Sequence, residues 1–184
     1  MKVLLISIRP EFAGKVLSGE KTVEFRRVRP NVQPGDVCVI YASGKTRALV
    51  GAFEIGGILD SSAAGMWRRW GEVSGTTRAA FMAYFDGASR AYGLEVRDPF
   101  TFASPMPLSD IRRVWTEFRP PQSYCYVRSD HDGHRALLDK IRQTPEFPWR
   151  QSPQISLKPP AAISESRASR VEGIFLTDTT HTDP

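Results

Sequence analysis

The stretch ISIRPEFAGKVLSGEKTVEFRRV, residues 6–28, changes its structural pattern twice within a short span. Residues 2–8 are almost continuously apolar and predict a buried strand. Pro10 suits the first position of a helix, and Gly19 ends the helical pattern that follows it. Residues 21–28 then have the pattern of a second strand, although this strand carries four charged side chains. The question for the fold is therefore which face of the second strand carries these charges and what covers that face.

Apolar and charged side chains alternate along this second strand, so they are expected on opposite faces. Val23 and Phe25 are expected to point into a barrel. Glu24 and Arg26 then share the other face, with Lys21 at its entrance. If water covers that face, the strand is a solvated edge that resists aggregation. If the first helix and a later helical insert cover it, the charges must be paired and form a polar pocket. Both arrangements fit the sequence.

Further short strands and helices follow, interleaved along the chain. Strand patterns occupy residues 37–43 and 48–59, and glycines within the second of these predict bulges or bending. A helical insert follows at residues 62–90. This order predicts an α+β domain, a small mixed β-barrel with helices packed over its openings, over residues 1–143. Residues 144–184 are rich in Pro, Ser and Thr and predict a mostly disordered tail.

Composition narrows the function classes. The formal charge is +5; residues 151–184 hold three basic and four acidic residues, a net of −1, so the first 150 residues carry +6. A basic globular part is compatible with a polyanionic partner. No apolar run is long enough to span a membrane. We expect a cytoplasmic protein without a membrane partner, in which Cys38 and Cys125 are reduced thiols.

Several short motifs are better explained by structure than by chemistry. SGKT around Gly44 lacks the earlier glycine of a phosphate-binding loop, whose position is Val39, and predicts a hairpin turn. His131 and His134 are two ligands at most, so no metal site is expected, and no cofactor is expected either. Trp67 beside arginines fits either the inner face of an amphipathic helix or a base-stacking surface, and the core alternative is favoured.

The opening stretch resembles the start of the ASCH domain family. Members have a strand, a helix and then a Gly-x-Lys-x-x-Glu-x-Arg-type strand, represented here by Gly19, Lys21, Glu24 and Arg26. The segments GDVCVIYAS, ALVGAFEI, PMPLSDIR and RPPQSYCYV continue the resemblance through residue 128. The resemblance implies a PUA-like fold. It also implies binding of RNA or of a modified nucleotide or nucleoside, or a role as a transcriptional regulator.

The resemblance further implies a cleft between barrel and helices, with Lys21 and Glu24 as a functional, catalytic pair. The ligand-binding or nucleic-acid-binding residues expected around it are Arg9, Arg26, Arg27, Tyr41, Ser43, Lys45, Ser123 and Tyr124. A protein-interaction domain with purely structural charges is the plainer alternative. Single-stranded RNA is the favoured nucleic acid because its unpaired bases are free to stack on aromatic side chains.

Two enzymatic activities of relatives provide the alternative function, a hydrolase. One is an amidohydrolase acting on a modified cytidine, with a lysine, a threonine and a glutamate from the helical insert. Lys21 matches the lysine, Glu24 replaces the threonine and lacks its hydroxyl, and Glu72 lies in the insert. The other activity is a metal-dependent ribonuclease with a tyrosine, a lysine and a serine. The resemblance assigns these parts to Tyr41, Lys45 and Ser123.

Overall fold

The structure is a computed structural model that describes residues 1–143. Its strands are β1 Val3–Ile8, β2 Val23–Arg26, β3 Val37–Ala42, β4 Ala48–Ser61, β5 Ala91–Pro107 and β6 Tyr124–Val127. Its helices are α1 Pro10–Leu17, α2 Ala63–Trp70, α3 Arg78–Tyr84, α4 Leu108–Val114 and α5 Asp132–Arg142. The tail predicted from residue 144 lies outside the described residues.

The strands form one sheet in the order β2-β5-β4-β3-β1-β6, curled into a half-barrel. β1 pairs with β3 in parallel, and the other pairs are antiparallel. Register shifts accompany the curl, one between Leu49 and Gly51 and one between Ile55 and Ile58. The predicted α+β class and the predicted bending of β4 at its glycines are therefore confirmed.

The first helix forms where the sequence predicts it. Pro10 occupies its first turn, where its missing N–H leaves no hydrogen bond unmade. Gly19 follows the helix with φ +80°, in the left-handed region that favours glycine. Ala13 and Val16 are buried against the apolar residues of β1 and β3, so α1 covers one face of the sheet.

Three apolar clusters hold the elements together. The first joins the other face of the sheet to α4 and α5, through residues including Leu5, Val39, Ile111, Phe118, Leu137 and Ile141. The second lies beneath α1 and includes Leu4, Ile6, Cys38, Ile40, Phe53 and Leu94. The third fills the space between β2 and the helical insert and includes Val23, Phe25, Met66, Phe81 and Phe85. Each group of helices thus packs on the sheet through its own apolar cluster.

The faces of β2 are the reverse of the expected ones. Val23 and Phe25 pack on the insert, and the rings of Phe25 and Phe81 meet edge to face at 5.0 Å. Glu24 is paired in register with Leu94, which belongs to the cluster beneath α1. Paired residues of neighbouring strands share a face, so the charged face of β2 lies on the barrel side. The insert places Met66, Phe81 and Phe85 against β2, so the apolar face of β2 is buried on the insert side.

Other local predictions can be compared directly with the structure. Gly44 lies in the turn that joins β3 to β4, as predicted for a hairpin. The ring of Trp67 packs on that of Phe81 at 5.2 Å, which confirms the core alternative. After the insert, the chain forms one continuous strand, β5, of 17 residues. Within residues 1–143, no helix is long and apolar enough to cross a bilayer.

Candidate nucleic-acid interface

A buried triad of charges, formed by Lys21, Glu24 and Arg26, lies at the centre of the motif that the sequence singles out. Glu24 Oε1 is 3.1 Å from Arg26 Nη2, and Glu24 Oε2 is 3.6 Å from Lys21 Nζ. The three residues are only 4%, 5% and 6% exposed. One carboxylate therefore faces two cations in a site that is almost closed to water.

The helical insert covers the lysine of this triad. Lys21 Nζ donates a hydrogen bond to the Ser74 carbonyl oxygen at 2.9 Å and lies 4.6 Å from the centre of the Phe25 ring. Burial lowers the pKa of the Lys21 ammonium, and Glu24 opposes part of this effect. Of the two arrangements that fit the sequence, the structure has the covered one, with paired charges.

The arginine of the triad links β2 to β1 across the open side of the half-barrel. Arg26 Nη2 donates to the Ser7 carbonyl oxygen at 3.5 Å, a long contact. Arg26 Nε and Ser7 Oγ are buried and have no hydrogen-bond partner among residues 1–143. Tyr124 flanks this junction and donates through its hydroxyl to the Arg29 carbonyl oxygen at 3.2 Å. The junction is polar, but little of it is accessible.

Of the residues of the amidohydrolase alternative, Glu24 contacts Lys21, whereas Glu72 is not among the contacts of the lysine within residues 1–143. Glu72 is exposed, and the insert residue that reaches the lysine is Ser74, through its backbone carbonyl. The Ser74 hydroxyl is itself engaged with the Gly71 carbonyl oxygen. No side-chain pattern predicts the role of Ser74, because this contact uses a main-chain atom.

A second set of polar residues lies on the surface, where the carboxyl ends of β1 and β3 meet. Parallel strands end at the same edge of a sheet, so Arg9 after β1 is brought beside residues 43–45 after β3. Ser43 Oγ donates to the Ile8 carbonyl oxygen at 3.1 Å, and this bond fixes the turn. Arg9 and Lys45 are exposed.

Arg47 adds a further cation at this edge that the sequence motifs do not predict. It precedes β4, is exposed, and has φ +46°, an uncommon left-handed conformation for a residue with a side chain. Its carbonyl oxygen accepts a hydrogen bond from Leu108 N at 2.8 Å, which ties the turn to the start of α4. The only sequence signal is an arginine directly after a Gly-Lys-Thr turn.

Ser123 and Tyr41 complete the surroundings of this edge. The Ser123 carbonyl oxygen accepts from Ser7 N at 3.1 Å, which places Ser123 beside the end of β1. The Tyr41 side chain is only 2% exposed and packs with its ring centre 6.0 Å from that of Phe118. We call the surface formed by Arg9, Ser43, Lys45, Arg47 and Ser123 the basic end.

Four of the sequence-predicted binding residues lie outside the basic end: Arg26, Arg27, Tyr41 and Tyr124. Arg27 donates to the carbonyl oxygens of Tyr84 and Asp86, at 3.1 and 2.9 Å, and so holds the end of α3. Tyr124 belongs to the junction beside Arg26, where burial raises the pKa of its phenol. The predicted residues are thus divided among a buried triad, a polar junction, a helix anchor and the basic end.

Comparisons with known proteins agree with this architecture. The family model described as ASCH domain matches residues 6–100. An ASCH domain-containing ribonuclease of Zymomonas mobilis is 30% identical over 129 residues, which are 70% of this chain and 86% of that protein. A crystal structure of ASCH from Zymomonas mobilis superposes with a TM-score of 0.69 at 29% identity and covers 75% of this chain and 94% of that one.

A more distant match is the large ribosomal subunit protein uL22 of Ureaplasma parvum. It is 24% identical over 128 residues, which are 69% of this chain and 40% of that protein. This chain therefore resembles a part of that longer protein.

Proposed function

Because the chain belongs to the ASCH domain family, we propose that it binds single-stranded RNA and that the basic end meets the phosphate backbone. The observation that carries the proposal is the charge of this surface. Neither Lys45 nor Arg47 has an ion-pair partner within residues 1–143, and Arg9 has only an exposed contact of 3.8 Å with Glu11. Exposed cations without partners supply the salt-dependent part of nucleic-acid affinity.

The half-buried aromatic residues of β6 support the preference for single strands. Tyr124 and Tyr126 meet edge to face at 5.9 Å on the strand that begins beside Ser123. An unpaired base has a free face that stacks on such a ring, whereas a base inside a duplex does not. A strand held by the basic end therefore has aromatic contacts within reach along the same edge.

Cleavage of the bound RNA is a second candidate function, favoured by the relative that is named a ribonuclease. Tyr41 and Lys45 lie on one segment, and Ser123 lies at the neighbouring strand end. A lysine ammonium stabilises negative charge that develops on a phosphate, and hydroxyl groups position or transfer protons. Tyr41 is buried, so its hydroxyl must become accessible when RNA binds. Turnover of a labelled oligoribonucleotide separates cleavage from binding alone.

We also propose that the protein works in the cytoplasm, where its thiols stay reduced, and that RNA binding there has a regulatory role. Cys38 is buried and Cys125 is half-buried, and the two are not joined by a disulfide. Burial raises the pKa of both thiols, which keeps them protonated and unreactive.

The test of the proposed function is the affinity for a labelled single-stranded oligoribonucleotide between about 50 and about 200 mM salt. Lys45→Ala should weaken binding and lower the salt slope by about 0.7, the value for one phosphate contact on a single strand. Lys140→Ala is the matched control, because Lys140 is exposed on α5. Its near neighbour Arg142 lies beside Val3 and Val37, at the ends of β1 and β3 that are opposite to the basic end. If the wild-type protein does not bind RNA at low salt, the proposal is wrong.

A further inference from the structure

The first turn of α5 rests directly on the indole of Trp115, which follows α4. The rings of His134 and Trp115 meet at 4.2 Å, and the rings of His131 and His134 lie 4.3 Å apart. A Cβ atom on Gly133 would lie 2.6 Å from Trp115 Cδ1, closer than the two groups can approach. Glycine therefore permits a contact between helix and indole that any other residue would push apart.

A hydrogen bond from the main chain determines the protonation state of His134 in the docked helix. The backbone N–H of Arg128 donates to His134 Nδ1 at 3.0 Å. Nδ1 accepts a hydrogen bond only in a neutral imidazole, because both ring nitrogens carry protons in the cation. The docked first turn of α5 therefore requires neutral His134.

The charges around His134 reinforce this requirement. The titratable and charged groups that face it from the 128–131 turn and from α5 are Arg128, Asp130 and His131. Burial lowers the pKa of His134 most strongly, His131 and Arg128 lower it further, and Asp130 alone raises it. Asp130 is already paired with Arg128 at 2.8 Å, so it offers His134 limited compensation.

We propose that His134 is a pH-sensitive latch that holds the first turn of α5 on Trp115 when neutral and releases it when protonated. The release is local. Leu137, Leu138 and Ile141 remain buried in the cluster beneath α4 and α5, so the rest of the helix stays anchored. The moving parts are the first turn of α5 and the 128–131 turn.

The latch also reaches the basic end, and this part rests on the proposed function. Trp115 packs edge to face on Phe118 at 4.9 Å, and Phe118 packs on Tyr41 at 6.0 Å. When the first turn of α5 leaves the indole, Trp115 loses its contacts with His131 and His134, and Phe118 loses rigid backing. Acid should therefore weaken RNA binding through the surroundings of Tyr41.

The direction of the pH effect follows from the lowered pKa. Undocked His134 has the ordinary pKa of about 6.5, and docked His134 has a lower one. Docking is therefore complete above about pH 6.5 and is lost as the pH falls from there through the docked pKa. At pH values below both pKa values, the docking equilibrium constant is reduced tenfold for each unit by which the two pKa values differ. A tenfold reduction corresponds to roughly 1.4 kcal/mol of docking free energy.

Hydrogen exchange of the Arg128 amide tests the latch, because this amide is the donor to His134. We expect its protection, corrected for the intrinsic exchange rate, to fall between about pH 8 and about pH 5 in the full-length protein. In His134→Asn the protection should be independent of pH, because the asparagine side-chain oxygen replaces Nδ1 as acceptor and does not titrate. Equal pH dependence in both proteins, or none in the wild type, would overturn the latch.

Two further variants guard against a misfolded His134→Asn protein. His131→Asn keeps the latch but removes the imidazole that lowers the pKa of docked His134, so its loss of protection should be smaller than in the wild type and centred at higher pH. Gly133→Ala should leave the Arg128 amide unprotected even at about pH 8. Two results together would contradict the latch independently of His134→Asn. The first is that His131→Asn loses protection of the Arg128 amide with the same pH midpoint as the wild type, and the second is that this amide stays protected in Gly133→Ala.

RNA affinity at fixed ionic strength tests the effect on the basic end. On acidification, the wild-type protein should lose affinity relative to His134→Asn. Identical pH dependence of affinity in the two proteins would refute the link to the basic end. Absence of RNA binding by both proteins at neutral pH would refute the proposed function and leave the latch to be judged by exchange alone.

Discussion

The buried triad and the basic end contain the same kinds of side chain in opposite surroundings. In the triad, Lys21 and Arg26 share the carboxylate of Glu24 and are almost fully buried. At the basic end, Lys45 and Arg47 are exposed and have no ion-pair partner within the described part of the chain. Burial and pairing, more than residue type, therefore separate charges that support the fold from charges that are free to bind a polyanion.

This difference has energetic consequences. A buried ion pair is a weak source of net stability, but removing one partner strands the other and is strongly destabilising. An exposed cation contributes little to stability, since water solvates it equally well in the folded and unfolded protein. Substitutions in the two regions should therefore separate into large losses of stability and large losses of RNA affinity.

The largest effect is expected for Glu24→Ala, which removes the carboxylate that neutralises both buried cations. The free energy of unfolding should fall by about 3–5 kcal/mol. Glu20→Ala is the matched control, because the Glu20 carboxylate is largely exposed and only 3.1 Å from Lys15 in a surface ion pair. That control should lose about 1 kcal/mol or less. Urea denaturation of both variants measures the difference.

A small loss in Glu24→Ala would break the comparison between the two regions. It would mean that water enters the triad and solvates Lys21 and Arg26, as in an open pocket. Loss of RNA binding in a stable Glu24→Ala protein would then favour the functional pair that the sequence motif suggests over a structural role.

The backbone architecture follows from local sequence signals. The alternation of apolar and polar residues, Pro10 and Gly19 determine β1, α1 and the start of β2. The bulge glycines of β4 are an equally local feature, and these predictions are confirmed.

The orientation of β2 and the composition of the basic end depend on contacts between distant segments. Alternation places Phe25 and Glu24 on opposite faces, but only the packing of the insert decides which face is which. Ser74 meets Lys21 across 53 positions of the chain through a main-chain atom. Arg47 joins the basic end because β3 runs parallel to β1. The sequence of neither strand predicts this pairing.

A smaller effect, with a diagnostic pH dependence, is expected for Lys21→Met. Methionine keeps most of the buried stem, and Arg26 still neutralises Glu24, but the Ser74 carbonyl loses its donor. The free energy of unfolding near neutral pH should fall by about 1–3 kcal/mol. Urea denaturation of this variant and the wild type at several pH values provides the measurement.

The sign of the pH dependence follows from the lowered pKa of Lys21. Burial puts this pKa below its ordinary value of 10.5, so the unfolded chain binds more protons between the two values. The stability advantage of the wild type over Lys21→Met should therefore grow as the pH rises through this window. An advantage that shrinks with rising pH would mean that attraction to Glu24 outweighs burial and that the triad is better solvated than its exposure indicates.

The smallest effect on stability, and the clearest separation of the two regions, is expected for Arg47→Gly. The left-handed conformation of Arg47, φ +46°, costs an L-residue about 1–2 kcal/mol, and glycine has an entropic cost of about 0.5–1 kcal/mol that offsets most of the relief. Stability should change by less than about 1 kcal/mol, while the salt slope of RNA binding should fall by about 0.7.

Asp98→Gly is the control, since Asp98 has φ +43° and carries no positive charge. It should gain a smaller backbone relief, because aspartate tolerates the left-handed region better than arginine, and it should keep its RNA affinity. If Arg47→Gly loses stability but not affinity, Arg47 supports the fold through its turn, and the basic end loses one of its cations.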